Sequence, residues 1–361
     1  MTSTLRPGWA AIFYLLLAGV VPLLAGCSES DRPLESPVRL EGAIFGSFYQ
    51  VTLADPLTQD QANALQEGLE EVLEQVDAAM SIYRDDSELM AFNQAPLGEW
   101  QPLSNALIDV LAISRSVSEA SHGAFDTTIG DLVNLWSFGS EARPREIPDP
   151  AELQQRLEEV GIEAVEIDEN ALQARRLRDV FVDLGGVAKG HAVDRVAAYL
   201  DSQSLEHYLV NLGGDLSVRG YRDTIEEPWR IGIEAPLDDQ QQATHIVPLH
   251  DISLATSGDY RNYFEADGQR YSHVIDPRNG YPIEHRVASV TVAHPSNTWA
   301  DAWATAMLVL GEEEGLALAR EQGLKVLLLL REDEGWSNVA SPEFAEFVGQ
   351  ELTAEMNLDV R

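Results

Sequence analysis

Cysteine is nearly absent: Cys27 is the single one in 361 residues. One thiol makes no internal disulfide, and it leaves no material for a thiolate metal site or a cysteine nucleophile in the folded part of the chain. Basic residues are scarce too, with 24 Lys and Arg against 60 Asp and Glu and a net charge of −36. That balance argues against nucleic acid or an anionic membrane face as a partner. HExxH, GxSxG, CxxC and GxxxxGK[ST] are all missing, so a zinc protease, a serine hydrolase or a P-loop reading has no support. A protein this acidic that binds phosphates needs a metal ion or a local cluster of cations.

The first residues are an address. Arg6 precedes the apolar run Trp9 to Ala25, and Leu24-Ala25-Gly26-Cys27 closes it with small residues. A secretory leader over 1–26 is the minimum reading. Its ending resembles a bacterial lipoprotein signal, in which Cys27 becomes the lipidated first residue; an uncleaved anchor is the alternative. Acyl chains on Cys27 would hold the protein at a membrane, facing the periplasm. Ser28 leans toward the outer of two membranes without settling which one. Residues 27–40 read as a tether, 41–335 as the folded domain and 336–361 as an irregular acidic tail.

Within the domain the periodicity predicts a strand over 43–53. A helix opens at Thr58 with Gln61 three residues on, and carries Leu65, Leu69, Val72, Leu73 and Val76. Further helices are expected from Ser104 to Ala120, over 151–160, from Ala192 to Leu200 and over 300–320. Strands are expected at 163–167, 171–182, 207–212, 230–234, 246–254, 287–293 and 324–330. Strands mixed with helices without regular alternation favour an α+β fold with mixed or antiparallel sheets.

Four runs could carry chemistry. Asp183-Leu184-Gly185-Gly186-Val187-Ala188-Lys189-Gly190 follows the apolar Val180-Phe181-Val182 and precedes the helix. Its glycines allow positive φ and a close backbone approach, so the N–H groups and Lys189 could hold a diphosphate. Taken alone, a tight structural turn is the simpler account. In Asp301-Ala302-Trp303-Ala304-Thr305, helical spacing puts a carboxylate and a hydroxyl on one face, which suits a hard cation such as Mg²⁺. Taken alone, a helix-dipole contact and a back-bonded threonine are the simpler account of that pair. His273 and Asp276, ahead of the turn Pro277-Arg278-Asn279-Gly280, offer acid–base or phosphate-binding groups, although a lone histidine at a strand is more often structural. Thr256-Ser257-Gly258 ends a strand with two hydroxyls, either a phosphate contact or a polar turn. A glycine pair at Asn211-Leu212-Gly213-Gly214-Asp215 closes another strand.

The ordered set resembles the ApbE family. It runs from Met80-Ser81-Ile82-Tyr83 with Ser87-Glu88, through Gly123-Ala124-Phe125-Asp126 and Asp183 to Gly190 with Asp194. Asn211 to Asp215, Ala255 to Tyr260, His273 to Pro277 and Ala300-Asp301 with Thr305-Ala306 follow, spanning about 41–330. The resemblance implies a flavin cleft between two closely packed lobes. It also implies Mg²⁺-dependent transfer of FMN from FAD to a Thr or Ser hydroxyl of another protein, with AMP released. FAD hydrolysis, or flavin binding without turnover, are the alternatives. The acceptor would be a subunit of an Rnf- or Nqr-type membrane redox complex.

By the same resemblance Asp301, Thr305 and the Ala188 carbonyl hold the metal; Asp301 and His273 are the catalytic candidates, His273 through either a phosphate contact or proton transfer. Flavin contacts fall on Phe45, Tyr83, Ala124, Phe125, Asp126, Gly185, Lys189, His191, His273 and Ile275. His191 stands where the family often has Tyr, and Phe45 where Met is common. Both changes touch the fit around the flavin rather than the reaction.

Overall fold

The computed structural model describes residues 33–141, 143–223, 226–236, 242–333 and 335–361. The leader, Cys27 and the start of the tether lie outside the described residues. In chain order the elements begin with β1 (Val38–Ile44), β2 (Ser47–Leu53), α1 (Gln59–Met80), α2 (Glu88–Gln94), β3 (Gln101–Pro102), α3 (Asn105–Ala120), α4 (Gly130–Leu135) and α5 (Pro150–Leu157). Then come β4 (Val165–Asp168), β5 (Gln173–Arg176), α6 (Ala188–Ser202), β6 (Tyr208–Leu212), β7 (Asp215–Arg219), β8 (Trp229–Glu234), β9 (Ala243–Leu249) and β10 (Ile252–Gly258). The chain closes with β11 (Tyr263–Ala266), β12 (Gln269–Ser272), β13 (Val287–His294), α7 (Asn297–Gln322), β14 (Lys325–Arg331), β15 (Trp336–Ala340), α8 (Pro342–Glu355) and β16 (Asp359–Val360).

A nine-stranded sheet, β1-β2-β6-β7-β10-β13-β14-β15-β16, forms the spine, and its neighbours ascend in chain order. Its pairings are antiparallel except β15 with β16. The skipped strands form separate small sheets, β3-β5-β4, β8-β9 and β11-β12. This is an α+β fold, as the mixed pattern predicts.

Both faces of the spine are covered, which explains the unbroken apolar run of β14. Val326, Leu328 and Leu330 join the main core with α1, α3, α6 and α7, while Leu327 and Leu329 join a second core with β8, β9 and α8. Side chains alternate along a strand, so a strand buried on both faces loses the polar half of its pattern. A third, smaller core gathers Leu132, Trp136, Leu153, Phe264 and Ile275.

Several expected boundaries shift, for physical reasons. The strand expected over 43–53 is two, reversed at Phe45-Gly46, where φ is 53° and 67°. Two consecutive positive φ values give the turn whose twist matches a hairpin. The expected 246–254 strand is likewise β9 and β10, split at Asp251 with φ 50°. Of 171–182 only β5 is a strand; beyond it Phe181 makes one bridge to Ile129. The helix expected over 300–320 is longer, because Ser296 caps its start and Gly323, in the left-handed region, ends it.

The irregular tail expected over 336–361 is the largest correction. β15 and β16 extend the spine, and Phe344 and Met356 of the connecting segment are buried in the second core. Acidic residues on the outer face of α8 hide a few large apolar anchors from a composition argument.

Candidate functional site

A cleft of about 530 Å³ opens between the main core and the small third core. That volume suits a sizeable organic ligand. One wall comes from the start of α6, the end of β10 and the face of α7; the other comes from α4 and the segment 273–277.

The glycine run reaches the cleft in an unexpected way. Upstream, buried Asn93 clamps Val182 by donating to its carbonyl (2.9 Å) and accepting from its N–H (2.8 Å), which holds the approach extended. Asp183 then accepts the Gly185 N–H at 2.8 Å, and the Leu184 carbonyl accepts from Val187 and Ala188. These N–H groups are therefore engaged inside the turn, so the expected amide cradle for a diphosphate is largely absent. Positive φ is not the reason for these glycines either. Gly185, Gly186 and Gly190 all lie outside the left-handed region, whereas the Gly213-Gly214 loop between β6 and β7 needs it, at 58° and 109°.

Close approach is the reason. A β-carbon at Gly190 would lie 2.4 Å from the Asn297 carbonyl oxygen and 2.7 Å from Cβ of Asp301. The missing side chain lets α6 and α7 touch, and the Gly190 N–H donates to Oδ2 of Asp301 at 2.9 Å. Asp194, one turn along α6, accepts the N–H groups of Asn297 (2.7 Å) and Thr298 (2.9 Å) and both hydroxyls of Ser296 and Thr298. It is an added cap that fixes the rotation of α7, and with it the face carrying Asp301 and Thr305.

Asp301 and Thr305 both line the cleft beside Ala188 and Lys189. The Thr305 hydroxyl pairs with that of Ser257 at 3.1 Å, so the β10 end belongs to the same patch. Burial, followed by the nearby Asp215 charge, pushes the Asp301 carboxyl up from the usual range, while Lys189 pulls it down. Burial alone would push the Lys189 ammonium down, but the facing Asp215 and Asp301 carboxylates outweigh it and keep the group charged. Lys189 is ion-paired with Asp215, which is buried at 1% exposure behind it. Asp215 carried no assigned role in the sequence; its partner is 26 residues away and faces it only through the β6–β7 hairpin.

Across the cleft stand His273 and Ile275. His273 Nδ1 lies 3.1 Å from the Asn262 carbonyl, which can only accept, so Nδ1 carries the proton and Nε2 is the basic nitrogen. Burial lowers the His273 pKa, keeping the ring neutral. Asp276 is not a free acid–base group: it accepts from the Arg278 backbone (2.9 Å) and guanidinium (2.8 Å) and holds the Pro277-Arg278-Asn279 turn.

At the mouth, Tyr83 is 73% exposed, a large ring with a bare face. Phe45, at the β1–β2 turn, lines the same cleft. Ala124 and Phe125 are buried, at 0% and 3% exposure, so Phe125 is floor rather than a stacking partner. Asp126 and Gly185 reach the cleft as well, with Asp126 accepting from the Thr128 N–H (2.8 Å) and hydroxyl (2.7 Å). His191 is the exception among the expected contacts. It is absent from the cleft lining, buried in the main body of α6, and its pKa is lowered to about 4 by burial. Two residues beyond Lys189 on a helix is half a turn away, which points His191 to the opposite side.

Among the described residues no three His, Cys, Asp or Glu side chains are grouped to hold a metal. The triad of Ala188, Asp301 and Thr305 draws on a carbonyl, one carboxylate and a hydroxyl instead. All three donors are oxygen, and the carboxylate is one whose charge burial disfavours, so a hard divalent cation fits them.

A sequence model of the ApbE family matches residues 45–328. The FAD:protein FMN transferase of Vibrio cholerae is 41% identical over 338 residues, covering 93% of this chain and 99% of that protein. The protein of the same name from Salmonella typhimurium is 37% identical, covering 90% and 94%. Among solved structures, the flavin transferase ApbE from Vibrio cholerae superposes with a TM-score of 0.78 at 39% identity, covering 87% of this chain and 99% of that one. The apo flavinyl transferase ApbE of Pseudomonas stutzeri gives 0.79 at 36% identity, covering 87% and 97%. Matched in sequence over most of its length and in fold over nearly all of each neighbour, the chain belongs to the ApbE family.

Proposed function

We propose that this chain transfers the FMN moiety of FAD to a Thr or Ser hydroxyl of a partner protein and releases AMP. The observation that carries the reading is the pairing of two walls. Lys189, Asp301 and Thr305 gather on one side of a ligand-sized cleft, and a neutral His273 stands on the other, below an exposed aromatic mouth. The family relatives named above are flavin transferases, which agrees with it.

The chain's residues divide the work. Tyr83 offers a bare face on which a flat ring can stack. The Lys189 ammonium faces a diphosphate, supplying local positive charge in an acidic protein. Asp301, Thr305 and the Ala188 carbonyl would hold Mg²⁺, which when bound neutralises the diphosphate and polarises the bond to be broken. Nε2 of His273 accepts the proton of the incoming hydroxyl. The hydroxyl oxygen bonds to the FMN phosphorus as the bond from that phosphorus to the AMP oxygen breaks, and AMP leaves as the anion. The nucleophile belongs to the partner, which accounts for the missing nucleophile motifs. Transfer of this kind asks mainly for positioning and charge neutralisation.

The Leu24-Ala25-Gly26-Cys27 ending supports a lipid anchor on Cys27 and a periplasmic workplace. An acceptor subunit of an Rnf- or Nqr-type complex fits that location. Purified mature protein incubated with FAD, Mg²⁺ and such a subunit is expected to give a covalently fluorescent acceptor band. Free FMN without a labelled band would mark a pyrophosphatase, and the absence of either product would leave only a flavin-binding protein.

The lowered His273 pKa sets a pH expectation. A base whose pKa falls below the usual value of about 6.5 stays unprotonated to lower pH, so the acid limb of kcat/KM should be centred below about pH 6.5. A pH profile of the transfer rate checks this; an acid limb centred above about pH 6.5 contradicts the assignment.

A further inference from the structure

We infer that Asp215 is a positioning residue: from outside the cleft it fixes the Lys189 ammonium, and so sets how strongly the site favours a flavin carrying phosphates over one without. The inference rests on the reading of the cleft as a site for a flavin diphosphate.

The geometry is that of a brace behind a working group. Lys189 lines the cleft, and Asp215 does not. Asp215 is 1% exposed, with one carboxylate oxygen paired to the Lys189 ammonium and the other accepting the Thr256 N–H at 3.1 Å. An ammonium has three donors, so pairing with Asp215 leaves others for a ligand. A lysine arm is otherwise free to sample many rotamers, and ordering it in advance removes a cost that ligand binding would have to meet. The same carboxylate reaches further. Thr256 is followed by Ser257, whose hydroxyl meets that of Thr305. One buried group on β7 thus ties the lysine of α6 to the strand end of β10, and through it to the oxygen-donor face of α7.

The alternative is a carboxylate that merely satisfies a buried backbone N–H. Asp215→Asn separates the two, because the amide keeps an oxygen for Thr256 and loses the charge facing Lys189. FAD and riboflavin are titrated separately into the full mature chain, in magnesium buffer without acceptor, and followed by flavin fluorescence. Their ratio of dissociation constants isolates the phosphate-dependent part. In Asp215→Asn that preference for FAD is expected to fall about tenfold, with riboflavin affinity and melting temperature near wild type. Lys189→Met should lose the same preference, and the double variant should lose no more than Lys189→Met alone, since the two residues act as one unit. Asp215→Glu keeps the charge on a longer arm and should lose a smaller part; it carries the test if the asparagine variant is unstable. An unchanged preference in Asp215→Asn beside a reduced one in Lys189→Met overturns the positioning role. Additive losses in the double variant, or equal weakening of both flavins, do the same. Wild-type protein that binds riboflavin as tightly as FAD overturns the diphosphate reading itself.

Discussion

Asp301→Asn is expected to reduce flavin transfer about a thousandfold while leaving the protein folded. A missing charge at the reacting diphosphate removes several kcal/mol of stabilisation, which is that order of rate. Stability should move little, because the amide oxygen can still accept the Gly190 N–H. The substitution also removes a carboxylate whose charge is penalised by burial. Asp301→Ala differs in kind: it orphans the buried Gly190 N–H and should cost about 1–3 kcal/mol of stability as well. Comparing the two by transfer rate and thermal unfolding separates chemistry from scaffold. Retention of a tenth of wild-type activity by Asp301→Asn would sink the assignment.

Gly190→Ala is expected to destabilise, against the ordinary sign. Glycine within a helix is normally worse than alanine by about 1 kcal/mol. Here the new methyl group would sit 2.4 Å from a backbone carbonyl oxygen of α7, an atom that cannot swing aside. Asp194 holds that first turn of α7 through four hydrogen bonds, so separating the helices breaks a network as well as a contact. A loss of about 1–3 kcal/mol is the scale for overpacking of this kind. Activity should fall further than stability suggests, since Lys189 and Asp301 lie on the two surfaces forced apart. Chemical denaturation of the variant measures the first effect; a midpoint at or above wild type contradicts the close-approach account.

What was legible in the sequence followed from short-range order. Asp301 and Thr305 share a helix face by spacing alone, and Thr58 with Gln61 forms the capping box that its pattern announces. The glycine run stands out in the sequence but its reason does not, because the atoms that forbid a side chain at Gly190 sit more than a hundred residues downstream. Asp215 became visible only through strand pairing, and His191 left the cleft by helical phase. The tail conceals its structure for a related reason: α8 contributes a handful of apolar side chains that make sense only against strands from elsewhere in the chain. The implied lobes and cleft came from the resemblance, not from periodicity.

The ascending order of the spine has a consequence for how such proteins diverge. Between β10 and β13 the chain leaves the sheet, builds the β11–β12 hairpin and the His273 to Gly280 segment, and returns to pair with the strand it left. That excursion supplies part of one wall of the cleft, beside α4, yet owns no rung of the central ladder. It is held to the rest of the chain by the Asp259–Arg331 and Arg278–Glu314 ion pairs, by the Trp136 indole N–H on the Gly280 carbonyl at 2.8 Å, and by Phe264 and Ile275 in the third core. A relative that keeps these anchors and His273 could exchange other parts of the loop, altering what the cleft admits, while the opposite wall stays in register. The excursion carries the proposed base as well as the exchangeable part of its wall, whereas Lys189, Asp301 and Thr305 sit on helices packed against the central sheet.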